Sequence, residues 1–385
     1  MKILIIGFHP YHWSGLSKAG AMILRALCDL GHECQYMVIP KGGDHLGAGR
    51  LPQFNGTPCF MQAQTNYTQK ALAEKYDLMI SIGDLWYFDA CYELTNAQAI
   101  PWAAYFGIEG LALPPISRVG KNEVIKNQTI LDSVSKIWAY TRATVDALQR
   151  SSGINGVGSI GILPHYGEPK PYSIVGLKDK LRIPKDKKIA LYVGGNYLRK
   201  GVDLWVQALK NSSNDWVGYM HMPAFDELGI DLRSLVPQLG LEGRLYCWDD
   251  LSPILNQREI PDMFVQGLYY ECDLFFHPHR GEGFGLAIQD ALMSPIRCAI
   301  SAAGSGSELG INKKYLVKAE RPCYVRAGGI QHQMQEMENI QSFDQYYKNA
   351  PKTNDWQPYT YQEFKDQVQF LLSDPIEPKL WRQFP

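Results

Sequence analysis

Short apolar runs alternate along this chain with amphipathic segments, and the alternation occurs twice. Residues 2–8 form a continuous β-rich run, the pattern of a strand buried on both faces of a parallel sheet. A loop follows over 9–17. A helix is predicted over 18–30, with Ile23, Ala26, Leu27 and Leu30 on one face and Gly31 as its stop. Ser17 is placed as its N-cap. The next strand is predicted at 34–39, giving a β-loop-α-β unit with glycine and hydroxyls at its first turn. That turn is not GxGxxG, so a dinucleotide fingerprint is absent. Further strands are predicted at 77–82, 102–107, 137–140 and 159–163, with helices at 88–94 and 141–150.

The rhythm breaks after residue 163 in a stretch rich in Pro, Gly and Lys, with one short helical piece at 177–181. It then resumes. Strands are predicted at 189–193, 216–222, 245–248, 274–276 and 297–301, and helices at 202–209, 232–239, 261–271 and 286–293. Repeated βα units on both sides of a break imply an α/β protein of two doubly wound Rossmann-like domains facing a central cleft. The division is residues 1–168, a linker at 169–187, a second domain at 188–360, and a C-terminal helix and tail at 361–385 that pack back on the first domain. Beyond residue 330 the pattern weakens. The polar stretch 331–349 is helix-prone, and a closing helix is predicted at 361–372.

Composition narrows the class without naming it. The chain has 385 residues, 45% hydrophobic and 20% charged, which suits two globular cores. A net charge of −1 supplies no global field to draw it to nucleic acid or anionic lipid. The eight cysteines include no CxxC pair, so neither a zinc ribbon nor a redox motif is supported. No run approaches the ~18 apolar residues of a membrane span. The N-terminal run lacks a cleavage site and reads as a strand, so the expected location is cytoplasmic.

The chemistry concentrates in HPHRGEGFGLAIQD, residues 277–290. A glycine-rich turn leading into a helix suits an anion, because free backbone N–H groups and the helix dipole both point at it. Glu282 lies in the turn and Asp290 on the helix. At ~1.5 Å per residue, Asp290 sits about 7–8 Å along the axis from Gly285. Two carboxylates at that separation suit two ends of one hydroxyl-rich ligand, such as a nucleotide sugar. His277 and His279 flank Pro278, but no third metal ligand is evident.

Taken in order, VGGNYLRKGVDLWVQAL, EGFGLAIQDALMSP and SGSELG, after an N-terminal GL…GHE unit, resemble the retaining GT-B glycosyltransferases. That large family includes sucrose, glycogen and mannosyl transferases. The resemblance runs roughly to Lys318 and is strongest in the second half. It implies the GT-B fold and transfer of a sugar from a nucleotide-diphosphate donor. Glu282 matches the first Glu of the family's E-x7-E motif, which contacts donor-sugar hydroxyls. Gly283, Phe284, Gly285 and Leu286 match backbone lying against sugar and phosphates. Asp290 stands where the family has a second Glu for the ribose hydroxyls. Lys200 matches the Lys that neutralises the diphosphate. Where the family often has Arg, this chain has Gly195; Arg199 is a candidate substitute, and Asn196 and Gly15 complete the expected donor contacts. The family's His near the middle of the first domain is absent around 104–110, where Glu109 is the nearby polar residue.

Catalysis is expected to rest on Glu282 and Lys200. No D-x-D sequence occurs, so the reading is of metal-independent transfer without a cofactor, the nucleotide sugar being UDP- or GDP-linked. In such an enzyme the leaving phosphate, not a carboxylate, takes the acceptor proton. Trp248, Asp249 and Asp250 fall where the family's nucleobase pocket tends to be, and Trp13, Trp86, Tyr87 and Phe106 are candidates for an acceptor wall. The acceptor is open: a glycan, a lipid-linked sugar, a small molecule, a protein or a hydroxylated nucleobase in DNA. A nucleotide-sugar epimerase or phosphorylase of the same fold, or a non-catalytic nucleotide-sugar-binding protein, stands as an alternative.

Overall fold

The structure is a computed structural model that describes residues 1–10, 14–39, 56–61, 74–113, 116–119, 124–151, 159–227, 229–255, 262–309, 313–327, 330–352 and 356–376. Nine strands fall in the first half: β1 (Lys2–Gly7), β2 (Glu33–Val38), β3 (Cys59–Met61), β4 (Leu78–Ile82), β5 (Trp102–Phe106), β6 (Ile116–Val119), β7 (Val124–Lys126), β8 (Lys136–Ala139) and β9 (Ser159–Ile162). Seven of them form one parallel sheet in the order β3-β2-β1-β4-β5-β8-β9. The remaining pair, β6 and β7, is an antiparallel hairpin. The apolar run of β1 is buried through Ile3, Leu4, Ile5 and Ile6, as a central strand covered on both faces requires.

The helix after β1 spans Gly15–Asp29 and buries Ile23, Leu24 and Leu27. It starts three residues earlier than the sequence predicts. Ser14, not Ser17, is its N-cap: Ser14 Oγ accepts the Ser17 N–H at 3.1 Å, and Ser17 lies inside the first turn. The early start matters, because it brings Gly15 to the end of β1.

The second half holds β10 (Lys188–Val193), β11 (Trp216–His221), β12 (Leu245–Cys247), β13 (Leu274–His277), β14 (Arg297–Ser301) and β15 (Leu316–Val317). They form a parallel sheet in the order β12-β11-β10-β13-β14-β15. Two doubly wound units are thus present. In each, strand order reverses direction beside the first strand, between β1 and β4 and between β10 and β13.

One prediction fails. The stretch 331–349 is not one helix-prone segment. Ile330–Met337 is a strand, β17, paired antiparallel with β16 (Ala319–Ala327), and the helix covers Phe343–Asn349 alone. Gln, Glu and Met favour helix weakly, and tertiary pairing overrides them. Here β16 supplies the partner, and Met334 and Met337 are buried against the second domain. The helix Trp248–Leu255 also lies where the sequence pattern marks only a strand end.

The terminal helix, Tyr361–Ser373, begins in a Thr360/Glu363 capping box. It lies on the first domain. Arg25 sits 3.8 Å from the Tyr361 ring centre, and Lys136 Nζ donates to the Leu371 carbonyl at 3.0 Å. Within 169–187, Leu177–Lys180 is helical, and its entry is fixed by Glu271, which accepts from the Gly176 and Leu177 N–H groups. No helix among the described residues is long and apolar enough to cross a membrane.

Candidate active site between the two sheets

In a doubly wound sheet, the crevice opens at the carboxyl ends of the strands where the order reverses. Both reversals here face one cavity of about 620 Å³, within the range of small-molecule sites. Gly15 and Asp84 reach it from the loops after β1 and β4. Arg199, Lys200 and Glu282 reach it from the loops after β10 and β13.

The wall from the second domain is built on backbone. After β10 and Gly194-Gly195, residues Leu198–Lys200 make a tight 3-10 turn. Gly201 ends the turn with φ +73°, and a Cβ there would lie 2.0 Å from the Pro278 carbonyl oxygen. Only glycine fits that combination of left-handed backbone and close approach. The two loops are also tied directly, because the Arg280 N–H donates to the Arg199 carbonyl at 2.8 Å. Lys200 is thereby fixed beside the turn that carries Glu282, 82 residues later in the chain.

Lys200 Nζ and Glu282 Oε2 form an ion pair, and both side chains are largely buried. Burial works against ionising Glu282, but Lys200 and Arg199 outweigh it and hold its carboxyl down at about 2. Glu282 is therefore an anion at neutral pH. Gly283 meets the first domain: a Cβ on Gly107 would stand 3.0 Å from the Gly283 Cα. The Phe284 ring lies 4.4 Å from that of His165. Gly285, at φ +95°, turns the chain into the helix Leu286–Leu292. Leu286 faces Gly15 across the cleft, its Cδ1 lying 3.6 Å from where a Gly15 Cβ would be.

Arg199 crosses the cleft. Its Nη2 lies 2.8 Å from Glu109 Oε1, while its buried Nη1 has no hydrogen-bond partner among the described residues. Asp290 is 6% exposed and is held by Lys170 Nζ at 2.7 and 2.9 Å. The structure thus gathers Gly15, Gly195, Arg199, Lys200, Glu282, Gly283, Phe284, Gly285, Leu286 and Asp290 around one cavity.

Asn196 is not brought there. It is buried, and its amide makes two hydrogen bonds to Ile230, one to the carbonyl at 2.7 Å and one from the N–H at 3.0 Å. That amide pins the segment after β11. Asp249 and Asp250 also serve backbone, accepting from the Ala224 and Cys247 N–H groups at 2.6 Å each. Trp248 packs edge-on against His221, which does line the cavity. Phe106 is in the core, and Tyr87 packs on Phe8. Trp13 and the Trp86 side chain lie outside the described residues.

Sequence reading missed Asp84 at the cavity and Lys170 behind Asp290. Asp84 lines the cavity, and burial with Glu109 nearby pushes its carboxyl up to about 7 against the pull of Arg199. The signal was available: Asp84 follows Gly83 at the end of β4, the reversal partner of β1. Lys170 carried no signal, since its contact with Asp290 spans 120 residues. His277 lines the wall from the end of β13. His165 also reaches the cavity, but its Nδ1 is bound to the Tyr105 hydroxyl at 2.6 Å and burial lowers its pKa to about 3.

No family model matches this chain, and no curated protein matches it. Solved structures do. Sucrose-phosphate synthase from Thermosynechococcus elongatus superposes with a TM-score of 0.68 at 15% identity, over 96% of this chain and 94% of that one. HepE from Anabaena, solved with UDP and glucose, gives 0.69 at 14% identity, over 97% and 99%. A glycosyltransferase from Rickettsia africae gives 0.60 at 14%, over 96% and 93%. At such identities the likeness shows the fold, and the fold of this chain is GT-B: two Rossmann-like domains facing a cleft.

Proposed function

We propose that this protein is a glycosyltransferase that moves a sugar from a nucleotide-diphosphate donor to a hydroxyl acceptor, with retention of anomeric configuration and without a metal ion. The observation that carries the reading is the Lys200–Glu282 pair, set at the strand-order reversal of the second sheet and opening on a cavity between two domains. A UDP-linked donor is the first choice, because HepE was solved with UDP-glucose and has this fold.

Breaking a sugar–phosphate bond places positive charge on the sugar and negative charge on the leaving diphosphate. Lys200 and Arg199 are cations held at the cavity wall, where they can stabilise that charge once the diphosphate competes for them with Glu282 and Glu109. Arg199 Nη1 is a donor with no hydrogen-bond partner among the described residues, suited to a phosphate oxygen. Glu282, an anion, orients sugar hydroxyls and stabilises positive charge at the reacting carbon. The acceptor oxygen attacks the face that the phosphate leaves; the carbon–phosphate-oxygen bond breaks, the new carbon–oxygen bond forms, and the acceptor proton passes to the leaving phosphate. Asp290 contacts the ribose. Asp84 and Glu109 make the acceptor side, and Gly15 stays a donor contact. The closed cleft excludes water and limits donor hydrolysis.

Mass-spectrometric transfer assays with UDP- and GDP-sugars and a panel of hydroxyl acceptors test the reading. Product of unchanged anomeric configuration, formed in the presence of EDTA, supports it. Sugar interconversion with donor alone identifies an epimerase instead.

A further inference from the structure

Two histidines behind Glu282 have no part in the scheme above. His277 ends β13 and His279 follows Pro278; they are 1% and 0% exposed. The His277 ring is stacked between Tyr192 and Phe275, with centroids at 5.5 and 5.6 Å. Its Nδ1 lies 3.0 Å from Nδ1 of His279, and Nε2 of His279 lies 3.0 Å from the Ala303 carbonyl oxygen.

These contacts fix where the protons are. A carbonyl only accepts, so Nε2 of His279 carries a proton. Burial, with Lys200 close by, outweighs the pull of Glu282 and of the two carbonyls and disfavours a second proton on that ring. Neutral His279 therefore presents a lone pair at Nδ1. Two nitrogens facing each other at 3.0 Å need one proton between them, and only His277 Nδ1 is left to hold it. Either neutral tautomer of His279 sets one lone pair against a carbonyl; the Nε2–H form satisfies the shorter contact, Ala303 at 3.0 Å, and leaves the lone pair at the longer one, the His277 carbonyl at 3.2 Å. Nε2 of His277 is thus unprotonated. It has no protein hydrogen-bond partner among the described residues, and the ring lines the cavity.

We propose that His277 Nε2 is a fixed hydrogen-bond acceptor for one hydroxyl of the donor's sugar, and that His279 is the positioning residue that sets its tautomer. The inference rests on the nucleotide-sugar reading. Lys200 and Arg199 offer donors only, and the Glu282 carboxylate is engaged by Lys200, so His277 supplies an acceptor that no cation in the site holds. A buried neutral acceptor repels phosphate and carbonyl oxygens and takes an O–H. A site built that way discriminates against a sugar lacking the hydroxyl.

The test is nitrogen-15 NMR on the full chain labelled at histidine, alone, with UDP and with UDP-glucose. His277 should appear as the Nδ1–H tautomer before any ligand is added. Its Nε2 should shift with UDP-glucose and not with UDP. His279→Asn, whose amide oxygen still accepts from Nδ1–H, should keep the tautomer, and His279→Leu should lose it. His277→Gln, which keeps an acceptor, should retain more activity than His277→Leu, whose kcat/KM should fall roughly tenfold. A protonated Nε2 in the free protein, or an Nε2 unmoved while other signals report UDP-glucose binding, overturns the inference and leaves the donor reading intact. Absence of binding by every UDP- and GDP-sugar overturns both.

Discussion

The reversal of strand order at β1/β4 and the one at β10/β13 share a topology and differ in charge. At the first, the groups that reach the cavity are Gly15 and Asp84, with Glu109 close by on the loop after β5. At the second they are Arg199, Lys200 and Glu282, backed by glycines held in strained or crowded positions. Topology places both crevices at one cleft. A few loop residues then decide that carboxyls without a basic loop residue mark one crevice and that two cations stand beside a carboxylate in the other. Arg199–Glu109 couples the two walls and Lys200–Glu282 ties two loops of one of them, so a charged ligand has to compete with pairs that the protein makes on its own.

That contrast can be attacked at several points. The largest effect is expected from Glu282→Ala, which should abolish transfer while UDP affinity measured by calorimetry stays within a few-fold. Full activity in this variant would remove Glu282 from the mechanism. Lys200→Ala should follow, with kcat/KM lower by about 10²–10³, the usual cost of losing one preorganised charge-stabilising group. Donor-independent loss, seen as an equal fall in thermal stability, would point to a structural lysine instead.

A pair of glycine substitutions compares the rigidity of the walls. Gly201→Ala combines left-handed φ with a 2.0 Å approach to Pro278 O and should lower stability by roughly 2 kcal/mol or more in denaturant unfolding. Gly15→Ala meets only Leu286 Cδ1 at 3.6 Å and should stay within about 0.5 kcal/mol. Equal costs would mean the two walls are equally constrained.

The smallest effect concerns the acidic wall. The Asp84 carboxyl is pushed up to about 7 in the folded protein, against ~3.9 for an unfolded Asp. A group raised in this way favours folding fully below its unfolded pKa, and that contribution is lost as pH rises through the folded value. Wild type should therefore lose melting temperature relative to Asp84→Asn between about pH 4 and pH 7, with little further change above. A difference that does not vary with pH would mean that Asp84 is ionised throughout.

Much of the site was legible because its chemistry is local. Glu282, Gly283, Phe284, Gly285 and Asp290 fall within nine residues, and their spacing survives into the structure as one turn and one helix. Lys200 was legible from a glycine turn after an apolar strand. Asn196 sits in that same turn, yet its amide is committed to Ile230, and no local pattern distinguishes a side chain turned inward from one turned outward. The strand at Ile330–Met337 failed for a related reason. Its Gln, Met and Glu residues favour helix alone, and only β16 beside it, with the Gln335 N–H bonded to the Arg280 carbonyl, makes it a strand.

By itself the sequence determined the alternation of buried strands and amphipathic helices, and with it two doubly wound domains, because periodicity follows from which faces must be buried. It also determined the glycine turns. Tertiary structure alone decided which distant groups meet: Lys170 on Asp290, Glu109 on Arg199, and Asp84 beside that pair. Those pairings depend on distances between chain segments that no local pattern encodes, and they set the charge and proton positions that any chemistry in the cleft must use.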